Sequence, residues 1–297
     1  MRLRLGRNNS QMKPFQDELI EAHELQSIYH LSSVVLIDAR DSVAYNHGHI
    51  PGAVSIQDIF YYICLPDNGG LPALREHFTR LFSAAGIRPD DRVIVYEDAQ
   101  DNGYGKSCRG WLILKYLGHE NVSVLHGGIR AWKTAGFPLE TVGVKKPAVM
   151  FPSRETSGHL VSVEEVRSVL GQEETVLLDC RDYAEWLGAN SSPYGYDYCP
   201  RKGRIPGAKW LEWYQVMERV DGLSRLRSPN EILELCDRIG VTPEKKVIVY
   251  CFKGARASVV VMALRRAGFP SVSNYFSAWN EWSRDFTLPV DDSYPEE

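Results

Sequence analysis

One stretch of this chain is written twice. Gly86-Ile87-Arg88-Pro89-Asp90-Asp91 runs into Arg92-Val93-Ile94-Val95-Tyr96, and Gly240-Val241-Thr242-Pro243-Glu244-Lys245-Lys246 runs into Val247-Ile248-Val249-Tyr250, at a constant shift of 154 positions. Val35-Leu36-Ile37-Asp38-Ala39-Arg40-Asp41 returns as Val176-Leu177-Leu178-Asp179-Cys180-Arg181-Asp182, and His49-Ile50-Pro51-Gly52-Ala53 as Arg204-Ile205-Pro206-Gly207-Ala208. A chain that repeats its apolar segments in the same order folds as two copies of one unit, and 297 residues give each copy an ordinary domain's length. The shift differs between pairs because the second copy carries extra residues at 188–202, rich in Ser, Pro, Gly and Tyr, which read as a surface loop. The copies are expected over residues 12–142 and 155–292, with a linker near 138–154. Ser162 with Glu165 then opens the first helix of the second copy as a capping box.

The repeated apolar segments are uninterrupted and β-branched or aromatic, as in strands covered on both faces. The expected class is therefore α/β, each copy a mostly parallel central sheet flanked by helices. Residues 16–29 have helical spacing, with Leu19, Ile20, His23, Ile28 and Tyr29 near one face, and lead into a strand that Asp38 closes. Pro51-Gly52 is a turn signal. His47 and His49 lack a Cys, Asp or Glu partner at ligand spacing, so they read as hydrogen-bonded turn histidines, and no metal is expected.

The copies part company where the central strand ends. In the second copy that position is Cys251, followed by Phe252, Lys253, Gly254, Ala255, Arg256 and Ala257, and then by an apolar run at 258–267 that Gly268 stops as a helix. Gly254 permits backbone angles denied to other residues, so a short loop there can aim successive N–H groups inward at a helix N-terminus. The amides of Phe252 through Ala257, the helix dipole, Lys253 and Arg256 all favour a thiolate at Cys251, which makes it a nucleophile at neutral pH. In the first copy the same position is Glu97, with Asp98 and Asp101 beside it, a loop unsuited to an anion. The first copy is thus expected to be catalytically silent. Cys108 falls in a helix with Trp111, Leu112, Leu114 and Tyr116 and reads as packing.

The formal net charge is −4, so no general basic field invites nucleic acid or membrane, and any anion preference must be local. Six cysteines, at 64, 108, 180, 199, 236 and 251, form no CxxC pair and read as cytosolic thiols. The basic start runs into polar residues instead of an apolar region, and no stretch approaches the ~20 apolar residues of a membrane helix. A cytoplasmic monomer is expected, and Met12 is an alternative start.

At Cys251 the chain resembles the rhodanese family of sulfurtransferases, whose active cysteine begins a six-residue loop of this form between a central strand and a helix. The resemblance covers nearly the whole chain, and is to the tandem members, thiosulfate sulfurtransferase and 3-mercaptopyruvate sulfurtransferase. Their first-domain ending is matched by Gly127, Gly128 and Trp132; Tyr275 to Trp282 keep the second domain's aromatics without its usual glycine. The resemblance implies a Cys251 persulfide, a small anionic sulfur donor, a thiophilic acceptor such as cyanide or a thiol, and no cofactor. It also makes Lys253 a vote for thiosulfate, since mercaptopyruvate-using members carry a small polar residue there. Two positions depart from the tandem pattern: Ala255-Arg256 replaces the usual Val-Thr, and Glu185 replaces an arginine. The donor stays open between the two. Cysteine-dependent phosphatases also set Cys and Arg around an anion loop, but with five residues between them, where Cys251 and Arg256 enclose four. A non-catalytic binding module fits the first copy and not the second. Asp38 with Arg40, and Asp179 with Arg181, are kept in both copies and read as structural pairs; Trp210, Trp213, Tyr214 and Trp279 read as core, some of them walls of a pocket between the copies.

Overall fold

The structure is a computed structural model, described for residues 18–99 and 103–294. The first half carries strands β1 (Leu19–Ile20), β2 (Val34–Asp38), β3 (Val54–Ser55), β4 (Arg92–Tyr96) and β5 (Val122–Leu125). They form a sheet in the order β1-β5-β4-β2-β3, every pair parallel. Its helices are α1 (Ala22–Ile28), α2 (Ser42–His47), α3 (Asp58–Tyr61), α4 (Gly70–Ala84), α5 (Gly105–Tyr116) and α6 (Gly128–Thr134).

The second half repeats the plan with β6 (Leu160–Val161), β7 (Thr175–Asp179), β8 (Lys209–Trp210), β11 (Lys246–Tyr250) and β12 (Val272–Tyr275), in the parallel order β6-β12-β11-β7-β8. Between β8 and β11 it adds an antiparallel hairpin of β9 (Met217–Val220) and β10 (Leu223–Leu226). Helices α7 (Val163–Ser168), α8 (Tyr183–Trp186), α9 (Pro229–Arg238), α10 (Ala255–Arg266) and α11 (Ala278–Arg284) complete it. α7 opens on the expected capping box, Ser162 and Glu165 exchanging bonds with each other's backbone. Strands β4 and β11, with buried Val, Ile and Tyr side chains, lie central in their sheets, as their unbroken apolar runs require.

Two element boundaries differ from the sequence expectation. Leu19 and Ile20, counted above on a helix face, instead form the edge strand β1 against Val124 and Leu125; Glu21 is extended, and the helix begins only at Ala22. Residues 16 and 17, like Met12 and Asp101, lie outside the described residues. Helix α10 begins at Ala255, three residues before the expected Ser258, because Gly254 turns the chain with φ +81° and leaves Ala255 free to start the helix. The extra residues at 188–202 form turns, with Tyr194, Tyr196 and Tyr198 exposed.

The Asp–Arg pairs are repeated down to the hydrogen bond. Arg40 binds both carboxylate oxygens of Asp38 and the Gly48 carbonyl, at 2.6 to 3.1 Å; Arg181 binds Asp179 and the Gly203 carbonyl at 2.6 to 3.0 Å. Each guanidinium sits over the last tyrosine of its central strand, Tyr96 or Tyr250. Both pairs are buried and closely bonded, which fits a structural role. His49 stacks on Tyr45 and bonds its carbonyl at 2.9 Å, and His47 bonds the Val43 carbonyl.

The halves share one apolar core. Helices α5 and α10 pack against each other, so that Gly105 lies beside Ala255 and the Cys108 sulfur is 3.7 Å from that of Met262. Cys108 is fully buried and burial holds its thiol protonated, in keeping with packing. No helix among the described residues is long and apolar enough to cross a membrane.

Candidate active site

Strand β11 ends at Tyr250, and the four residues 251–254 carry the chain to α10. The bend is tight because a β-carbon at Gly254 would lie 3.0 Å from Phe276, so only glycine passes there at this φ. Two donors pull the Gly254 carbonyl away from the loop's interior: Ser258 Oγ at 2.7 Å and Asn274 Nδ2 at 2.9 Å. Amides at the N-terminus of α11 hold two earlier carbonyls of the loop, Trp279 N–H bonding Cys251 O and Asn280 N–H bonding Phe252 O. With the carbonyls of Cys251, Phe252 and Gly254 engaged outside, the loop turns its N–H groups inward. Gly254 N–H reaches the Cys251 sulfur at 3.2 Å, and the Lys253 and Ala257 amides lie near enough to favour its thiolate.

Cys251 is 1% exposed. Burial alone would raise its pKa, but a hydrogen bond from Cys180, the charge of Arg256 and the Ala257 and Lys253 amides outweigh it and hold the thiol well below its usual range. The other buried thiols move the opposite way: burial pushes Cys64 up to about 11 and Cys236 up to about 12.

The cations flanking the cysteine are both engaged. Arg256 forms a fork with Glu185, Nη1 at 2.5 Å and Nη2 at 3.0 Å, and reaches Asp182 at 2.9 Å. The two departures from the tandem pattern noted above, Arg256 and Glu185, are therefore one feature, a buried ion pair within the second half. Removing one partner of such a pair strands the other, at a cost of about 3–5 kcal/mol. Lys253 is only 6% exposed. Its ammonium crosses to the first half, where Nζ donates to the Phe60 carbonyl at 2.7 Å and lies 3.8 Å from the Phe60 ring centre. Burial, then the nearby charge of Arg109, bring its pKa down to about 7.

A cavity of about 500 Å³ opens over this loop, reached by Cys251, Phe252, Lys253, Ala255 and Arg256. Gly254 and Ala257 lie beneath it and shape the ring. Trp213 and Tyr214 wall the cavity as anticipated, whereas Trp279 is buried under Arg181 and Trp210 bonds the Arg181 carbonyl. The opposite wall comes from the first half: Phe60, Glu97, Asp98 and Lys106. Sequence reasoning missed Phe60, Lys106, Asp182 and Asn274, each distant in the chain from Cys251 and carrying no local motif. Glu97, at the position matching Cys251, accepts from Ser107 N–H at 2.5 Å and from its hydroxyl at 3.1 Å, and burial raises its carboxyl to about 7.

Two parallel α/β units, one ending its central strand in an amide-ringed thiol, define a tandem α/β protein with a single cysteine site. The chain matches the description "Rhodanese-like domain" over residues 21–135 and again over 162–285. It is 28% identical over 276 residues to the thiosulfate sulfurtransferase of Azotobacter vinelandii, spanning 92% of this chain and 96% of that one. It is 30% identical over 252 residues to the 3-mercaptopyruvate sulfurtransferase of Escherichia coli K12, spanning 83% and 84%. Among solved structures it superposes with a TM-score of 0.78, at 26% identity, on the anaerobic ergothioneine biosynthesis enzyme of Chlorobium limicola in complex with trimethyl histidine, covering 94% of this chain and 71% of that one. The chain belongs to the rhodanese family of sulfurtransferases, in its tandem two-domain form.

Proposed function

We propose that this chain takes a sulfane sulfur from thiosulfate onto Cys251 and passes it to a thiophilic acceptor, in the cytoplasm and as a monomer. The observation that carries the reading is the convergence of the Gly254, Lys253 and Ala257 amides on a buried thiol that borders an open cavity. The Cys251 thiolate attacks the outer sulfur of thiosulfate, the S–S bond breaks, and sulfite leaves with the electron pair. An acceptor, cyanide or a thiolate, then attacks the outer sulfur of the persulfide and returns Cys251 as thiolate. The ring amides stabilise sulfur-borne negative charge throughout, and oxyanion-hole donors of this kind contribute ~2.7–4 kcal/mol each. No cofactor has a place in these steps.

Thiosulfate is favoured by charge. Lys253 uses one of its three donors on Phe60 and has two more for a dianion, and Lys106, which makes no ion pair among the described residues, faces the same cavity from the first half. A monomer suffices because one chain supplies both walls of the cavity, and six free, buried thiols suit a reducing compartment. The test is turnover with thiosulfate and with 3-mercaptopyruvate side by side, each with cyanide. Higher kcat/KM for thiosulfate is expected; the reverse order would assign the chain to the mercaptopyruvate users.

A further inference from the structure

The nucleophile has a second thiol at its side. β7 and β11 pair in parallel register up to Asp179 opposite Tyr250, so the next residue of each strand is a cysteine, Cys180 beside Cys251. The pairing extends through this step, since Cys180 N–H donates to the Tyr250 carbonyl at 3.0 Å. Registered neighbours on adjacent strands stand about 4.8 Å apart with side chains on the same face, within the ~4.4–6.8 Å Cα spacing that a disulfide spans. Cys180 lies near enough to Cys251 to favour its thiolate, and donates to the Tyr250 carbonyl at 3.2 Å.

The fold does not require a thiol here. At the matching place in the first half, Ala39 donates its N–H to the Tyr96 carbonyl at 2.9 Å in the same arrangement, and the residue beside it is Glu97. The sulfur at 180 accompanies the sulfur at 251 and is replaced by a methyl group where the nucleophile is missing. Cys180 is fully buried and does not border the cavity, whereas Cys251 does.

We propose that Cys180 is a resolving cysteine, which captures Cys251 as an internal disulfide when hydrogen peroxide enters the cavity. The inference rests on Cys251 being the reactive thiolate described under the proposed function. The Cys251 thiolate attacks one peroxide oxygen, the O–O bond breaks, and the departing hydroxide takes up a proton as water, leaving a sulfenic acid. The Cys180 sulfur then attacks the Cys251 sulfur, the S–O bond breaks, and the hydroxyl leaves with the Cys180 proton as a second water. Two thiols are oxidised by two electrons and one peroxide is reduced to two waters. A dithiol reductant reverses the disulfide by exchange, whereas a sulfinic acid at Cys251 is lost to it.

The experiment treats the full chain with hydrogen peroxide and no sulfur donor, then maps peptides without reduction. The expected product is one linked pair joining the Cys180 and Cys251 peptides, about 2 Da lighter than the two thiols, with sulfur transfer restored by dithiothreitol. In Cys180→Ala, the side chain already present at Ala39, the link is absent, dimedone labels Cys251, and longer exposure yields a sulfinic acid that dithiothreitol does not rescue. Wild-type protein that accumulates sulfenic or sulfinic Cys251 beside a free Cys180 overturns the proposal without need of the variant. A linked pair in a protein that transfers no sulfur from either donor would instead remove the proposed function and leave the thiol pair standing.

Discussion

The two halves end their central strands in loops of different length. Eight residues, 97–104, separate β4 from α5, and four, 251–254, separate β11 from α10. Beyond the loops the halves realign at a shift of 150, so that Gly254 matches Tyr104, Ser258 matches Cys108 and Asn274 matches Val124. The residues that hold the Gly254 carbonyl outward in the second half are thus a thiol and an isopropyl group in the first, and the glycine is a tyrosine with φ −112°. One backbone plan yields an anion cradle only where the loop is short and its carbonyls have donors outside it.

Replacement of one cysteine in each half tests this contrast most severely. Cys251→Ser is expected to lower sulfur transfer by about three orders of magnitude or more, as loss of a covalent nucleophile does. Cys108→Ser, a change in the shared core, should leave kcat within about threefold, with ~1 kcal/mol lost from stability in denaturant titration. Donor without acceptor should add about 32 Da, one sulfur, to the peptide holding Cys251. The same mass on the peptide holding Cys108 would reverse the assignment of the halves.

A smaller effect is expected at the bridge between halves. Lys253→Ser should reduce kcat/KM for thiosulfate roughly ten- to hundredfold, the worth of a charge-assisted bond, and for 3-mercaptopyruvate less. The sign of the pH dependence follows from the lowered lysine: with a pKa of about 7 it is charged below neutrality and neutral above. Thiosulfate efficiency in the wild type should therefore decline as pH rises from 6 to 8, measured as kcat/KM. In Lys253→Ser the decline should vanish. Equal loss with both donors would show that Lys253 serves the tie to Phe60 and the thiolate, and does not choose the donor.

The mildest change makes the second half resemble the first. Asn274→Val installs the residue found at Val124 and leaves Ser258 as the remaining donor to the Gly254 carbonyl. Two neutral bonds are lost, to the Gly254 carbonyl and to Ser258 Oγ, and the one on the loop is worth ~0.5–1.5 kcal/mol, or about two- to tenfold in kcat/KM. The companion readout is the pH at which iodoacetamide alkylates Cys251, expected to rise by less than about one unit. An unchanged profile would mean that the short loop alone forms the ring.

Much of this was legible in the sequence, for physical reasons. Val247 to Tyr250 and Val93 to Tyr96 are long enough, and β-branched enough, that only a buried strand suits them; the repeat then fixes two sheets. Cys251 and Gly254 announced a strand giving way to a helix through a tight ring. Leu19 and Ile20 misled because two apolar residues satisfy a helix face and a strand edge equally well, and pairing with β5 decides between them. The burial of Lys253 was invisible since it depends on Phe60, 193 positions away. Glu185 was read as a missing arginine, and only the folded chain shows that it answers Arg256.

Helices α5 and α10 meet through Gly105, Ala255, Cys108 and Met262, and that contact sets what can change over evolutionary time. A duplicated unit released from chemistry would ordinarily be free to erode, shrink or be discarded. Here the first half is the far wall of the cavity and half of a continuous core, so a change of shape on α5 is felt on α10. The half that carries Glu97 is held in the molecule as a fitted part of the other half's cavity.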